Sequence, residues 1–128
     1  MSTSYLLDTS VLVFVLKENP VILKRMVGAD LYVSSISLGE LYYGAQHSIY
    51  VEKSMRQVNT LEKSITILEA NKATALIYGR FKHEQRMKGL ILPDNDLWIA
   101  STAIQYSLTL AARDHHFMWI DGLALEQW

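Results

Sequence analysis

The chain is predicted to fold as an α/β domain of the three-layer α/β/α kind, with a mostly parallel sheet of four or five strands between two layers of helices. Three observations predict it. Short, largely apolar runs recur at Tyr5–Leu7, Leu31–Val33, Ile65–Leu68 and Leu108–Ala112, as expected of parallel strands buried on both faces. The stretches between them carry helical periodicity and are long enough for the crossover connections that parallel neighbours require. Finally, four acids, Asp8, Glu40, Asp96 and Asp114, each stand where an apolar run hands over to a helix, so that residues distant in sequence would meet along the carboxyl edge of the sheet.

Taken in order, Tyr5-Leu6-Leu7 gives way to Asp8-Thr9-Ser10, after which Val11, Leu12, Val15 and Leu16 fall at helical spacing. Asn19-Pro20 ends that helix, and a second short one is expected over Val21–Val27 before the strand at Leu31–Val33. Ser35 to Ser37 open the next helix, whose Leu38, Leu41, Tyr42 and Ala45 lie at i, i+3, i+4 and i+7 and define one buried face. A further helix is expected from about Val51 to Leu61, followed by the strand at Ile65–Leu68. Ala70–Lys88 is the longest helical segment; Lys82, Arg86 and Lys88 suit the negative end of its dipole, and Gly89 stops it. Pro93-Asp94-Asn95-Asp96 is a turn feeding a helix from Leu97 to Tyr106, and Asp114 closes the strand Leu108–Ala112. Phe117–Trp128 is expected to add a short edge strand and a packed Trp128. With no repeats, low-complexity runs or linker, residues 1–128 read as a single domain.

Composition narrows the function. Half of the 128 residues are hydrophobic, enough for one core. Lys plus Arg number 12 against 13 Asp plus Glu, and a net charge of −1 excludes a polybasic mode of nucleic-acid binding while leaving room for a local basic groove. The absence of cysteine rules out disulfides and thiolate metal sites, which fits a reducing cytoplasm. No run approaches the ~18 apolar residues of a membrane span, and Met-Ser-Thr-Ser lacks the charged start of a secretory signal. No membrane association is expected.

Each of the four acids has a purely structural alternative. Asp8 suits the N-cap of the first helix, Ser37-Leu38-Gly39-Glu40 has the form of a capping box, and Asp94 and Asp114 stand at helix starts. Capping explains Asp96 least well. With Asp94 the better cap, Asp96 falls inside the first turn, beside the strongly apolar Leu97-Trp98-Ile99-Ala100. A carboxylate so close to the core needs a partner, and the sequence offers other carboxylates. Clustered carboxylates repel unless protonated or bridged, and a hard divalent cation with oxygen ligands is the economical bridge.

At these residues the chain resembles the PIN-domain ribonucleases, most closely the VapC-type toxins of bacterial toxin–antitoxin pairs. The resemblance rests on Leu6-Leu7-Asp8-Thr9-Ser10-Val11-Leu12, Ser35-Ile36-Ser37-Leu38-Gly39-Glu40-Leu41-Tyr42-Tyr43-Gly44-Ala45, Asn95-Asp96-Leu97-Trp98-Ile99-Ala100 and Arg113-Asp114-His115-His116-Phe117, in the family's order, and continues to Gly122-Leu123 and Trp128. It implies a PIN-like fold and a Mg²⁺- or Mn²⁺-dependent endoribonuclease whose catalytic and metal-binding carboxylates are Asp8, Glu40, Asp96 and Asp114. It also implies a cognate antitoxin covering the acidic groove, and a homodimer. The family commonly has Thr or Ser two residues before the last acid, where this chain has Ala112; Thr9 and Ser10, in the turn after the first strand, are expected to supply hydroxyls instead. A catalytically silent relative that binds RNA or protein is the competing reading, resting on Ala112.

Other candidates carry less. His47, seven positions after Glu40, shares nearly its helix face; His115 and His116 follow Asp114, but no spaced His or Cys partner makes a zinc pattern. Arg113 beside Asp114 suggests an ion pair or a phosphate contact. Lys53, Arg56, Lys63, Lys72, Arg80, Lys82, Arg86 and Lys88 give the central helices a basic surface, and any that flank the acids would grip RNA backbone. A phosphatase-like or receiver-like site would want an acid pair at the first strand and a Lys at a late strand end, and only Asp8 and Arg113 stand there.

Overall fold

The computed structural model describes residues 3–128. Strand β1 (Ser4–Leu7) leads through Asp8 into α1 (Thr9–Leu16) and α2 (Pro20–Met26), and β2 (Asp30–Ser34) runs directly into α3 (Ser35–Gln46) and α4 (Val51–Ser64). Strand β3 (Thr66–Leu68), α5 (Lys72–Met87), α6 (Asp94–Gln105), β4 (Thr109–Ala112), a 3-10 turn (His115–Trp119) and β5 (Leu125–Gln127) complete the order. The sheet is five-stranded in the order β3-β2-β1-β4-β5, and each neighbouring pair is parallel.

Period-two alternation along the strands splits the core into two halves. Leu6 and Leu110 face a cluster with Phe81, Leu97, Ile99 and Phe117, beneath α5 and α6. Their neighbours Leu7 and Ala111 face a second cluster with Val11, Leu12, Leu41, Val58 and Trp128, beneath α1 to α4. The expected three layers follow from this alternation, because each central strand must satisfy an apolar surface on both sides.

Local chemistry sets the element boundaries. Asn19 accepts hydrogen bonds from the amides of Val21 and Ile22, with Pro20 at the first helical position. Helix α5 begins at Lys72, two residues after the expected Ala70, because Asn71 forms a capping box with Thr74. Helix α4 continues to Ser64, past the expected Leu61. The expected edge strand is β5. Trp128 behind it is 6 % exposed, its ring meets Tyr5 edge-on at 4.9 Å, and the Tyr5 hydroxyl donates to Glu126 at 2.8 Å.

Strand β1 is central, with β2 and β3 laid down on one side of it and β4 and β5 on the other. The chain reverses its order of strand addition between β1 and β4, and in open parallel sheets the crevice beyond the carboxyl ends at such a reversal is where ligands bind. Asp8 stands at that point: its amide donates to the Ala111 carbonyl at 2.9 Å.

Candidate active site

Asp8 caps α1. Its Oδ2 accepts the Ser10 amide at 3.1 Å and the Ser10 hydroxyl at 2.6 Å. The residue is 2 % exposed, and Oδ1 is buried with no hydrogen-bond partner among the described residues. Capping therefore accounts for only one of its two oxygens. Burial pushes its pKa above the usual carboxylate value; the two Ser10 bonds oppose the rise, and Asp96 and Asp114 add to it.

Ser10 does a second job. Its hydroxyl accepts the Arg113 amide at 3.0 Å, so one oxygen ties the end of β4 to the carboxylate at the end of β1. A hydroxyl thus stands between the end of β4 and the first acid although residue 112 is alanine.

Glu40 comes from α3. The proposed Ser37/Glu40 capping box does not form, because the helix starts one turn earlier: the Ser34 hydroxyl accepts the Ser37 amide at 3.0 Å. Glu40 is left for another partner, and Thr9 donates its hydroxyl to Oε1 at 2.7 Å, with the buried Ser37 hydroxyl 3.0 Å from the Thr9 oxygen. The first turn of α1 thus orients two acids, Ser10 holding Asp8 and Thr9 holding Glu40.

Asp96 lies in the first turn of α6, whose cap residue is Pro93. The expected cap, Asp94, instead bonds Lys82 at 3.0 Å and the Tyr78 hydroxyl at 2.9 Å, fixing α6 to α5. Asp96 points elsewhere: its Oδ2 is 2.6 Å from His116 Nε2. Burial raises its pKa, His116 opposes that, and Glu40 and Asp114 add to the rise. Asp114 itself is exposed and precedes the 3-10 turn without accepting a capping bond. Asp96 and Asp114 thus act on Asp8, and Glu40 and Asp114 on Asp96, which sets these carboxylates within range of one another's charge.

His116 is a partner of Asp96 that sequence reasoning did not assign. Its mate is 20 residues upstream and reaches it only through the crossover from α6 to β4, so no local spacing advertised the pair. Among the described residues Arg113 forms no ion pair with Asp114: its guanidinium donates to the Trp128 carbonyl at 2.9 Å and lies 4.3 Å from the Phe14 ring centroid. Tyr42 packs against the core half beneath α1 to α4, with its hydroxyl 2.7 Å from Asn59 Oδ1 and 2.9 Å from Glu62 Oε2. Tyr43 is 70 % exposed and stacks on His47, with ring centroids 5.9 Å apart and planes 11° from parallel.

Two clefts flank Glu40 and Thr9. One, about 670 Å³, is lined by Ser35, Ile36, Gly39, Tyr43 and Asn95 as well. The other, about 500 Å³, runs between α1, α3 and α4 over Val13, Leu16, Leu41 and Val58. Among the described residues no three His, Asp or Glu groups already converge as a ligand cage. The chemistry nevertheless fits a hard cation. Among the described residues Asp8 Oδ1 is a buried acceptor lacking any donor, Asp96 and Asp114 act on it as further carboxylates, and a divalent ion would relieve both conditions at once.

Known proteins resemble the chain along nearly its whole length. The profile of the family described as PIN domain matches residues 5–123. Ribonuclease VapC2 of Haemophilus influenzae is 33 % identical over 128 residues, covering 97 % of both chains. The tRNA(fMet)-specific endonuclease VapC of Salmonella typhimurium is 27 % identical, again over 97 % of each. Among solved structures, VapBC2 of Rickettsia felis bound to a DNA fragment from its promoter superposes with a TM-score of 0.93 at 30 % identity, covering 98 % of this chain and 99 % of that one.

Proposed function

Because the chain belongs to the PIN-domain family, in its VapC ribonuclease branch, we propose that it is an endoribonuclease that hydrolyses RNA phosphodiester bonds with the help of Mg²⁺ or Mn²⁺. Asp8, Glu40, Asp96 and Asp114 are the residues that would hold the ion. The observation that carries this reading is the buried, unpartnered Oδ1 of Asp8 at the strand-order reversal, within the field of Asp96 and Asp114. When bound, such an ion lowers the pKa of water and neutralises charge building on the scissile phosphate.

The chain's own residues do the rest. Ser10 fixes the Asp8 carboxylate, so that its free oxygen needs no reorganisation on binding. Thr9 occupies Glu40 Oε1 and leaves Oε2 to orient the attacking water and accept its proton. The exposed Tyr43 ring, stacked on His47 at the wall of the larger cleft, offers a platform for a base. No side-chain nucleophile is needed.

The protein is further proposed to be the toxin of a toxin–antitoxin pair in the cytoplasm. An antitoxin covering the acidic groove would find an apolar seat beside Glu40 in the cleft over Val13, Leu16 and Val58. A homodimer is part of the same reading, checked by light scattering. No described helix is long and apolar enough to cross a membrane.

The test is cleavage of labelled structured RNAs, the initiator tRNA among them, with Mg²⁺, with Mn²⁺ and with chelator, beside an identically prepared Asp96→Asn variant. Cutting that needs the ion and that the variant lacks is expected. Equal cutting by both proteins would point to a contaminant, and no cutting by either across a total-RNA substrate would overturn the nuclease reading.

A further inference from the structure

Resting on the cation-dependent reading, we propose that His116 is a nitrogen ligand of the same ion, and that it makes this site favour Mn²⁺ over Mg²⁺. Three observations carry the proposal.

The first is distance. His116 Nε2 lies 2.6 Å from Asp96 Oδ2, and two ligand atoms each ~2.1 Å from one ion at a right angle are roughly 3 Å apart. An opening of a few tenths of an ångström converts the hydrogen-bonded pair into adjacent ligands. The second is that His116 is not free to leave. It sits in the 3-10 turn between Asp114 and Phe117, Phe117 is fully buried, and the His116 ring leans on that of Phe117 at 4.9 Å. An ion arriving at Asp96 therefore meets an imidazole that stays beside it.

The third is the surroundings. The His116 and Asp96 side chains are 34 % and 17 % exposed, within reach of an incoming ion, and the charge of Asp96 is felt at Asp8, whose Oδ1 is buried without a hydrogen-bond partner among the described residues. Carboxylates alone serve Mg²⁺ and Mn²⁺ alike. An imidazole shifts the balance, because it suits transition ions and is a poor exchange for the water that Mg²⁺ gives up reluctantly.

The experiment titrates Mg²⁺ and Mn²⁺ separately into metal-stripped wild type, His116→Gln, His115→Gln and Asp96→Asn by calorimetry, and records ¹⁴N couplings in the Mn²⁺ electron spin echo signal. Gln keeps a hydrogen bond to Asp96, and circular dichroism confirms that each variant is folded. Wild type is expected to bind Mn²⁺ the more tightly, with a ¹⁴N coupling; His116→Gln should lose roughly tenfold to a hundredfold in Mn²⁺ affinity, little in Mg²⁺ affinity, and the coupling. His115→Gln should retain all three properties.

If His116→Gln binds both ions more tightly, His116 is a competitor for Asp96 and the proposal fails. An unchanged Mn²⁺ to Mg²⁺ ratio makes it a bystander, and loss of the coupling in His115→Gln instead moves the role to the wrong neighbour. In each of these cases the loss of binding in Asp96→Asn leaves the cation reading intact. Wild type that binds neither ion overturns that reading and the proposal together.

Discussion

Ser10 gives both its amide and its hydroxyl to one oxygen of Asp8, at 3.1 and 2.6 Å, and leaves the other oxygen buried and unpaired. A residue that only capped a helix would have no reason to bury its second oxygen in the middle of the molecule. Ser10→Ala should therefore affect two measurable properties. Losing the bonds to Asp8 and to the Arg113 amide should lower stability by about 1–2 kcal/mol in urea unfolding. Cleavage should fall tenfold or more, because Asp8 is no longer held.

Charge at Asp8 opposes folding when no cation is present. Its pKa is raised by burial above the ordinary 3.8. The proton is held more tightly in the folded state than in the unfolded one, so the stabilisation is complete below the ordinary value and is lost as pH rises through the raised one. In chelator, Asp8→Asn should melt higher than wild type by about 2–5 °C at neutral pH, with the gap closing as pH falls towards 4. Thermal unfolding across that range checks it; a variant that melts lower at neutral pH would mean that the charged oxygen already has a partner.

Thr9→Val removes the donor to Glu40 Oε1 while keeping side-chain volume. Stability should change by less than about 1 kcal/mol, because Glu40 is only half-buried and can turn to solvent. Turnover should drop by about tenfold with little change in KM, since a wandering base affects the chemical step rather than RNA binding. Single-turnover cleavage separates the two effects.

Tyr43→Ala should do the reverse. The ring is 70 % exposed and adds little to the core, so Tm should hold. Its loss as a stacking surface should raise KM for RNA by roughly fivefold to a hundredfold and leave single-turnover cleavage at saturating RNA nearly unchanged.

The strand runs and their burial on both faces were legible because they need only local pattern: Leu6 and Leu7 turn to opposite core halves, as adjacent residues in a strand must. Asp8 and Asp114 were legible for a related reason, since each follows a strand and a parallel sheet gathers its strand ends; Glu40 lies instead in the second turn of α3, and Asp96 in the first turn of α6, which follows α5 rather than the expected apolar strand. What local pattern could not decide was which of two similar residues takes a role. Ser34 and Ser37 both suit a cap, and Ser34 wins because the chain leaves the sheet there. Asp94 was the better cap on paper, but Lys82 and Tyr78, a helix away, take it. The Asp96–His116 pair exists only in the folded crossover.

The position of β1 also bears on how the protein is made. As the central strand, β1 is paired on one side by β4, and the last strand, β5, docks beyond β4 with Trp128 against Tyr5. The amide of Asp8 finds its acceptor, the Ala111 carbonyl, only once β4 is in place. A chain ending before Thr109 carries three of the four acids and no crevice to gather them. Such a fragment is expected to be unfolded by circular dichroism and inert towards RNA. A site organised this way forms only when β4 docks against β1, so gathering the acids and completing the sheet are one event.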